Sequence, residues 1–433
     1  MPASKTFSIG CYIGVGSRQE SDAVHGASHF LEHVLFKGTA RRSAEEISAA
    51  IESVGGDINA YTTKEYTCFY ARVLDADAEL AVDVLTDMLT SSEVLEREVD
   101  AERAVILDEI AMHADDPAET AQELVAGEMF GHEGLGRSVI GSVESITALS
   151  RDQIVAHWRR HYSPASVVVA AAGRVDHDRL VAQLMAFEEH PLEPVTESSD
   201  PAGSSGAAAG EPAGETGQRV PQRPAPARPR PRTGGVVLTS VKAMEQTTAV
   251  LALPSPGTFD DRRYPLGLLS VILGGGMSSR LFVEIRERRG LTYGIDADEL
   301  AYSDAGQFTV EWQCAPDKLA EILRLVRATL TDVATSGVAD DELERAKGQI
   351  RGQTVLSYEG PSSRMGRLGS SELMGDVRTV AELLERYEVV TAEAVQQEAR
   401  ELFATAPVLA VVGPRVPRRE LKALLADWVT RSS

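Results

Sequence analysis

Cysteine is scarce in this 433-residue chain: Cys11, Cys68 and Cys314 stand far apart, with no paired spacing. That excludes a disulfide framework and a cysteine zinc knuckle, and it suits a reducing compartment. No uncharged apolar run approaches the roughly eighteen residues that a membrane span requires. The opening stretch, Met1 to Thr6, has no apolar run leading to a small-residue cleavage site, so no signal peptide is read there. Positive charge is also short: 43 Lys and Arg face 65 Asp and Glu, a formal −22 at pH 7. That balance repels phosphate-rich partners, so neither nucleic acid nor an anionic membrane is expected, and cationic partners are favoured. What is present is an ordinary globular composition, 43% hydrophobic, able to bury large cores. The expectation left standing is a cytoplasmic enzyme or binding protein.

One stretch lacks large apolar residues almost completely. From 190 to 235 the chain is rich in Pro, Gly, Ala and Arg. Such a composition cannot bury enough surface to offset its ordering entropy, and it reads as a disordered linker. It separates segments 1–189 and 236–433, each of domain size. The two resemble one another: both join one amphipathic helix to the next, and Glu102-Arg103-Ala104 aligns with Glu344-Arg345-Ala346 at an offset of 242. We read an internal duplication of an α+β lobe.

Local signals order the first lobe. A strand is expected from Phe7 to Val15, then a helix from Ser28 to Phe36 stopped by Gly38. Ser43-Ala44-Glu45-Glu46 is a capping box opening a helix to Val54. Asp57 to Leu74, rich in Tyr, Thr, Phe and Val, reads as one long strand. Helices follow over Ala78–Leu89, Leu95–His113 and Ala118–Met129, another starts at the Ser150 capping box, and a buried strand spans Ser166–Ala172.

The chemistry-bearing segment is His29-Phe30-Leu31-Glu32-His33. On a helix, positions i, i+3 and i+4 share a face, so two imidazoles can aim at one ion with a carboxylate beside them. Catalytic zinc needs three protein ligands and an open position, and Glu32 would serve as general base. Taken alone, the pattern also suits two ordinary histidines and a solvated glutamate, so a third ligand must decide.

The order is the inverse of His-Glu-x-x-His. HFLEHVLFKGT, from His29 to Thr39, resembles the pitrilysin and insulinase zinc metallopeptidases, especially the branch holding the mitochondrial processing peptidase beta subunit and its bacterial relatives. The resemblance implies a third zinc ligand in the run Glu102 to Ile110. This is Glu109, 76 residues after His33, with Glu102 as an acidic support two helical turns earlier. It implies one Zn2+ per chain and catalysis by Glu32. GGDINAYTTKEYT resembles the strand that pairs with substrate backbone, with Asn59 and Ala60 at its centre. GGGMSSRLFVEIRERRGLTYG resembles the segment whose Arg and Tyr contact substrate and the developing oxyanion, here Arg286 and Tyr293.

The fold implied is α+β: two homologous lobes, each an antiparallel-rich sheet packed with helices, forming a clamshell chamber. The function implied is hydrolysis of unfolded peptides or presequence-like segments, as a homodimer or as a heterodimer with a related subunit. The competing expectations are a non-catalytic scaffold subunit and a catalytic half that needs a partner chain. At the 242 offset, His29, Glu32 and His33 face Val271, Gly274 and Gly275, and Glu109 faces Arg351, so only the first lobe is expected to bind metal. Relatives carry a further strand ahead of the Ser8–Val15 segment, so either a start upstream or a first sheet one strand short is expected. His25, and the His157/His161 pair with Arg159 and Arg160, are expected outside the metal site.

Overall fold

The computed structural model describes residues 1, 3–132, 134–163, 166–188, 231–240, 244–414, 418–426 and 428. Along the first half run β1 (Thr6–Ile13), α1 (Ala27–Val34), α2 (Ala44–Glu52), β2 (Asp57–Thr62), β3 (Thr67–Leu74) and α3 (Ala78–Ser91). Then come α4 (Glu96–Asp115), α5 (Pro117–Phe130), α6 (Val143–Ala148), α7 (Arg151–His161), β4 (Val167–Gly173) and α8 (His177–Glu188). The second half has β5 (Val236–Ser240), β6 (Thr247–Ser255), α9 (Arg263–Gly274), β7 (Ile295–Ala301), β8 (Gly306–Cys314) and α10 (Leu319–Ser336). It ends with α11 (Asp340–Glu359), α12 (Pro361–Met374), α13 (Val380–Glu388), α14 (Ala392–Phe403), β9 (Val408–Gly413) and α15 (Arg418–Ala426).

The sheets repeat one plan. The first has order β2-β3-β1-β4 and the second β5-β9-β6-β8-β7, so β7, β8, β6 and β9 reproduce β2, β3, β1 and β4. All these pairings are antiparallel, and only β5, beside β9, is parallel. Helices α4 and α11 have 20 residues each, and α5 and α12 have 14 each. Each pair starts 244 positions apart, two more than the offset read at Glu102, which sets Gln353 rather than Arg351 opposite Glu109. The first sheet has four described strands against five in the second, and β5 is the one without a counterpart.

One expectation needs correcting. The run from Asp57 to Leu74 folds back on itself as the β2–β3 hairpin, with Asp57 opposite Arg72 and Thr62 opposite Thr67. Its turn is closed by Thr63, whose N–H and Oγ1 both donate to the Tyr66 carbonyl at 2.8 Å. No Gly, Pro or Asn marks this turn, which is why composition hides it. The expected linker, 190–235, lies outside the described residues except for 231–235. Those are tied down, with Arg232 N–H donating to Met129 O at 2.7 Å and Gly234 N–H to Ala406 O at 3.0 Å.

Burial along β1 explains its blurred alternation. Phe7, Ile9, Cys11 and Ile13 pack with Phe30, Leu31, Leu85 and their neighbours in the first core. Tyr12 faces the other way, into a cluster with Cys68, Ala170, Ala172 and Met365 of α12. Ser8 Oγ meets Ser362 Oγ at 3.2 Å on that face. In β6, Ala249, Leu251 and Leu253 enter the second core, while Val250 and Ala252 pack against Ala121, Val125 and Met129 of α5. Each half therefore sends a helix to cover the far face of the other half's sheet. All three cysteines are free and buried. No helix among the described residues is long and apolar enough to cross a membrane.

The seat of α12 is tight. A Cβ built at Gly369 would lie 2.0 Å from Tyr12 Cε2, whose ring is fully buried. Gly369→Ala is expected to cost about 1–3 kcal/mol through overpacking, read as a lowered melting temperature by calorimetry. An unchanged melting temperature would mean that α12 does not sit on this sheet.

Candidate metal centre

The site is built on α1, and α1 is held at its start. Gly26, with φ 89°, turns the chain into the helix. The carboxylate of Glu20, only 6% exposed, accepts from Gly26 N–H through Oε2 and from Ser28 N–H through Oε1, both at 2.7 Å. Two donors that a helix start leaves unpaired are thus satisfied by a charged acceptor favoured at that end of the dipole. Burial nevertheless raises the Glu20 carboxyl above the usual range. Ser28 Oγ lies 3.0 Å from His157 Nε2, locking α7 to the same turn.

One turn along, the His29 and His33 rings lie 4.7 Å apart at 66°. Glu109 enters from α4: its Oε2 is 3.6 Å from His29 Nε2 and 3.5 Å from His33 Nε2. That oxygen is buried and has no hydrogen-bond partner, as does His29 Nδ1. Ligands bound to one tetrahedral zinc at about 2.0–2.2 Å stand about 3.3–3.6 Å from each other, so two imidazoles and a carboxylate at these separations fit that ion. Among the described residues, this is the one group of three or more metal-capable side chains that converges.

Electrostatics sharpen the picture. Burial, then the neighbouring His33, depress His29 to about 4, leaving it neutral and able to ligate. Burial also pulls His33 down, but the adjacent Glu109 and Glu102 carboxylates outweigh it and the net shift is upward. Glu109 is lowered, chiefly by the adjacent His33 imidazole. Glu102 holds His33 from behind, with Oε2 3.0 Å from Nδ1, while its Oε1 takes Lys37 Nζ at 2.6 Å. Such a carboxylate partner fixes ring orientation and tautomer and strengthens the ligand.

Glu32 faces the same space. Thr62 Oγ1 donates to its Oε2 at 2.5 Å, and burial raises its carboxyl, a shift towards the range useful for a general base. Thr62 brings β2 to the site. This strand is the open edge of its sheet, and it carries Asn59, exposed, and Ala60, half-buried. Ala60 N–H donates to the Asn59 Oδ1 at 2.8 Å.

Arg286 and Tyr293 lie together in the second half, with the guanidinium 6.0 Å from the Tyr293 ring and 5.2 Å from that of Phe282. Arg286 also pairs with Glu287. Tyr293 is 90% exposed and lines a cavity of about 930 Å³ that His113 and Glu119 also line. Neither residue has a recorded hydrogen bond, ion pair or ring contact with His29, His33 or Glu109 among the described residues. The structure therefore assembles His29, Glu32, His33, Glu102 and Glu109, while Tyr293 lines a cavity that His113 also lines.

Four contributors escaped the sequence reading: Glu20, Lys37, Thr62 and His113. His113 Nε2 is 3.8 Å from Glu109 Oε1, and its Nδ1 is 2.7 Å from Glu119 Oε2. Its i+4 spacing from Glu109 was the available signal. Thr62 was two positions beyond Ala60, on the same face of the strand. His25 instead meets Ser138 O at 3.0 Å, and the His157 and His161 rings lie 4.4 Å apart, with His157 Nε2 on Ser28 Oγ; none of the three joins the converging group.

Comparison with known proteins agrees with this architecture. Residues 1–143 match the profile described as insulinase, peptidase family M16, and residues 148–350 match that of the peptidase M16 inactive domain. A Streptomyces coelicolor protein named an uncharacterized zinc protease is 43% identical over 416 residues, 96% of this chain and 86% of its own length. This chain belongs to peptidase family M16. A Bacillus subtilis member, also named an uncharacterized zinc protease, is 32% identical over 95% of this chain and 94% of its own. The fold matches a crystal structure of a Helicobacter pylori protease at TM-score 0.83 and 18% identity, covering 95% of this chain and 94% of that one. A peptidase M16 inactive-domain structure from Pseudomonas fluorescens gives 0.82 at 19%, covering 96% and 94%.

Removing Glu102 frees the His33 ring without deleting a ligand. Glu102→Ala is expected to weaken zinc binding about 10–100-fold. Competition with a chromogenic chelator reads this directly, and unaltered affinity would leave Glu102 with a packing role only.

Proposed function

We propose that this chain is a zinc-dependent endopeptidase that cuts unfolded peptides or presequence-like segments, with one Zn2+ per chain on His29, His33 and Glu109. The observation carrying this is the convergence of two imidazole Nε2 atoms on one unpartnered carboxylate oxygen, with Glu32 beside them. When bound there, zinc lowers the pKa of a water towards ~7 and polarises a carbonyl.

The protein's own groups do the rest. Glu32, its Oε2 fixed by Thr62, takes the proton of the attacking water. It returns that proton to the amide nitrogen as the C–N bond breaks. The open edge of β2 pairs with an extended peptide through main-chain hydrogen bonds, and Asn59 yields Ala60 N–H to it. Arg286 and Tyr293 supply a cation and a phenol donor towards the oxyanion from the other half. The cavity between them carries Glu119, Glu123, Asp296, Asp298, Glu299 and Glu311, a lining suited to basic side chains.

The reading includes assembly with a second chain, as a homodimer or with a related subunit, in the cytoplasm. A scaffold role without catalysis is the alternative, and the complete ligand set counts against it.

Glu32→Gln is expected to keep its zinc and to lose about 10²–10⁴ in kcat, read by metal analysis and by chromatography of a digested peptide library. Zinc-loaded wild type that cuts nothing, alone or mixed with a related subunit, would sink the proposal. Turnover of basic peptides should fall as salt rises towards about 1 M, where screening is short-ranged. Salt-independent turnover would assign the acidic lining to solubility.

A further inference from the structure

A second cavity, of about 750 Å³, adjoins the first and shares Lys64, Val139, Leu300 and Tyr302 with it. The charge changes sign across that shared wall. The first cavity has six carboxylates and Lys64 as its one Lys or Arg. The second is lined by Lys64, Arg263 and Arg367, with Glu65 and Asp376 as its only acids.

Those two acids are already engaged. Glu65 Oε1 takes Arg18 and Ser303 Oγ, both at 2.6 Å, and its Oε2 takes Ser303 N–H at 2.9 Å. Arg18 goes on to Asp304 at 2.7 Å, so Glu65 is spent on joining the two halves. Asp376 is held by Arg378 Nε and, at 3.3 Å, by Arg263 Nη1.

The cations keep unused capacity. Among the described interactions Arg367 has no ion pair, and its Nη2 donates to the Arg378 carbonyl at 3.0 Å. Lys64 has no ion pair either, and it donates only to the Arg137 carbonyl. Burial lowers Lys64 to about 8. Arg263 Nε is buried without any hydrogen-bond partner. Ser363, Ser371 and Thr354 add hydroxyls to the wall. Planar guanidinium forks beside hydroxyls match a carboxylate, and desolvation makes such charge-assisted bonds strong.

We propose that this second cavity is an anion subsite that receives a carboxylate of a bound peptide, supplied by the chain terminus or by an acidic side chain. Basic side chains of the same peptide occupy the acidic first cavity, so the paired cavities set the direction in which a substrate lies. The identity of the occupant as a peptide rests on the endopeptidase reading, because His113, beside Glu109, lines the first cavity.

The test uses full-length, zinc-loaded Glu32→Gln protein and fluorescence anisotropy, so binding is read without hydrolysis. One labelled basic peptide is prepared with a free C-terminal carboxylate, with a C-terminal amide, and as the amide with one Glu added. The free-acid or the Glu form is expected to bind about tenfold or more tightly than the plain amide, and which of them gains identifies the source of the carboxylate. Arg367→Gln should shrink that preference by a similar factor, and Arg367→Lys should restore part of it. Equal affinity of all three peptides overturns the subsite even if Arg367→Gln fails to fold, as does an Arg367→Gln loss that is the same for every peptide. Wild type that fails to hydrolyse while Glu32→Gln still prefers a carboxylate would overturn the peptidase reading and leave the subsite standing.

Discussion

A sheet has two faces, and each half of this chain covers only one face of its own. The other face of the first sheet is closed by α12, and that of the second by α5. Helix α5 follows α4 across a single residue, Asp116, which caps α5 through Ala118 N–H at 2.7 Å. Helix α4 carries Glu102 and Glu109. The helix that brings the third metal-capable side chain is thus tied at its C-terminal end to α5, whose Ala121, Val125 and Met129 pack on the far face of the other half's sheet. Separating the halves would expose two apolar sheet faces and release α4 together with Glu109. The second half is therefore part of what positions the metal centre, although it contributes no donor atom.

The duplicated plan shows how the halves diverged. In the first, α1 sets His29 and His33 against Glu109 of α4 and Glu32 against Thr62 of β2. In the second, α9 closes onto β7 so tightly that a Cβ at Gly274 would lie 2.1 Å from Ala297 N. Backbone thus fills that contact, and Val271 of the same helix packs against the second core. A carboxylate at Gly274 would have no room beside β7.

The metal centre was legible in sequence because its information is local. His29, Glu32 and His33 are fixed by helical periodicity, and Glu102 and Glu109 by the same periodicity on one further helix, tied to the first by resemblance. The repeated α4–α5 and α11–α12 lengths were legible for the same reason. What stayed hidden depends on contacts far apart in the chain. Nothing in the spacing of Glu20 says that it caps α1, and nothing in Arg18 says that it bridges Glu65 to Asp304. The β2–β3 turn was missed because Thr63-Lys64-Glu65-Tyr66 lacks the usual turn residues, and its stability comes from Thr63 side-chain bonding, from Lys64 donating to the Arg137 carbonyl, and from Glu65 accepting across the halves from Ser303. Reciprocal helix covering was invisible because α5 and α12 carry small residues, Ala121 and Gly369 among them, whose value appears only against the other sheet.

Charge follows the same division between local and global. Glu32, Glu102 and Glu109 stand within reach of two imidazoles, and Lys37 answers only Glu102. A pocket with that acid excess draws positive charge, and it can take it as a proton or as a metal ion. The carboxylates of Glu109 and Glu102 raise the affinity of His33 for a proton, and the same Nε2 is the one aimed at Glu109 Oε2. On the proposed zinc reading, proton and metal would compete for that nitrogen, and metal uptake would release whatever proton His33 holds. His29, pushed down by burial, sets no such competition near neutral pH. The two histidines are chemically unlike: His29 is neutral, whereas His33 is held in place by Glu102 at the cost of a stronger hold on its proton. The contact that orients His33 for the proposed ligand role would also make metal binding there sensitive to acid.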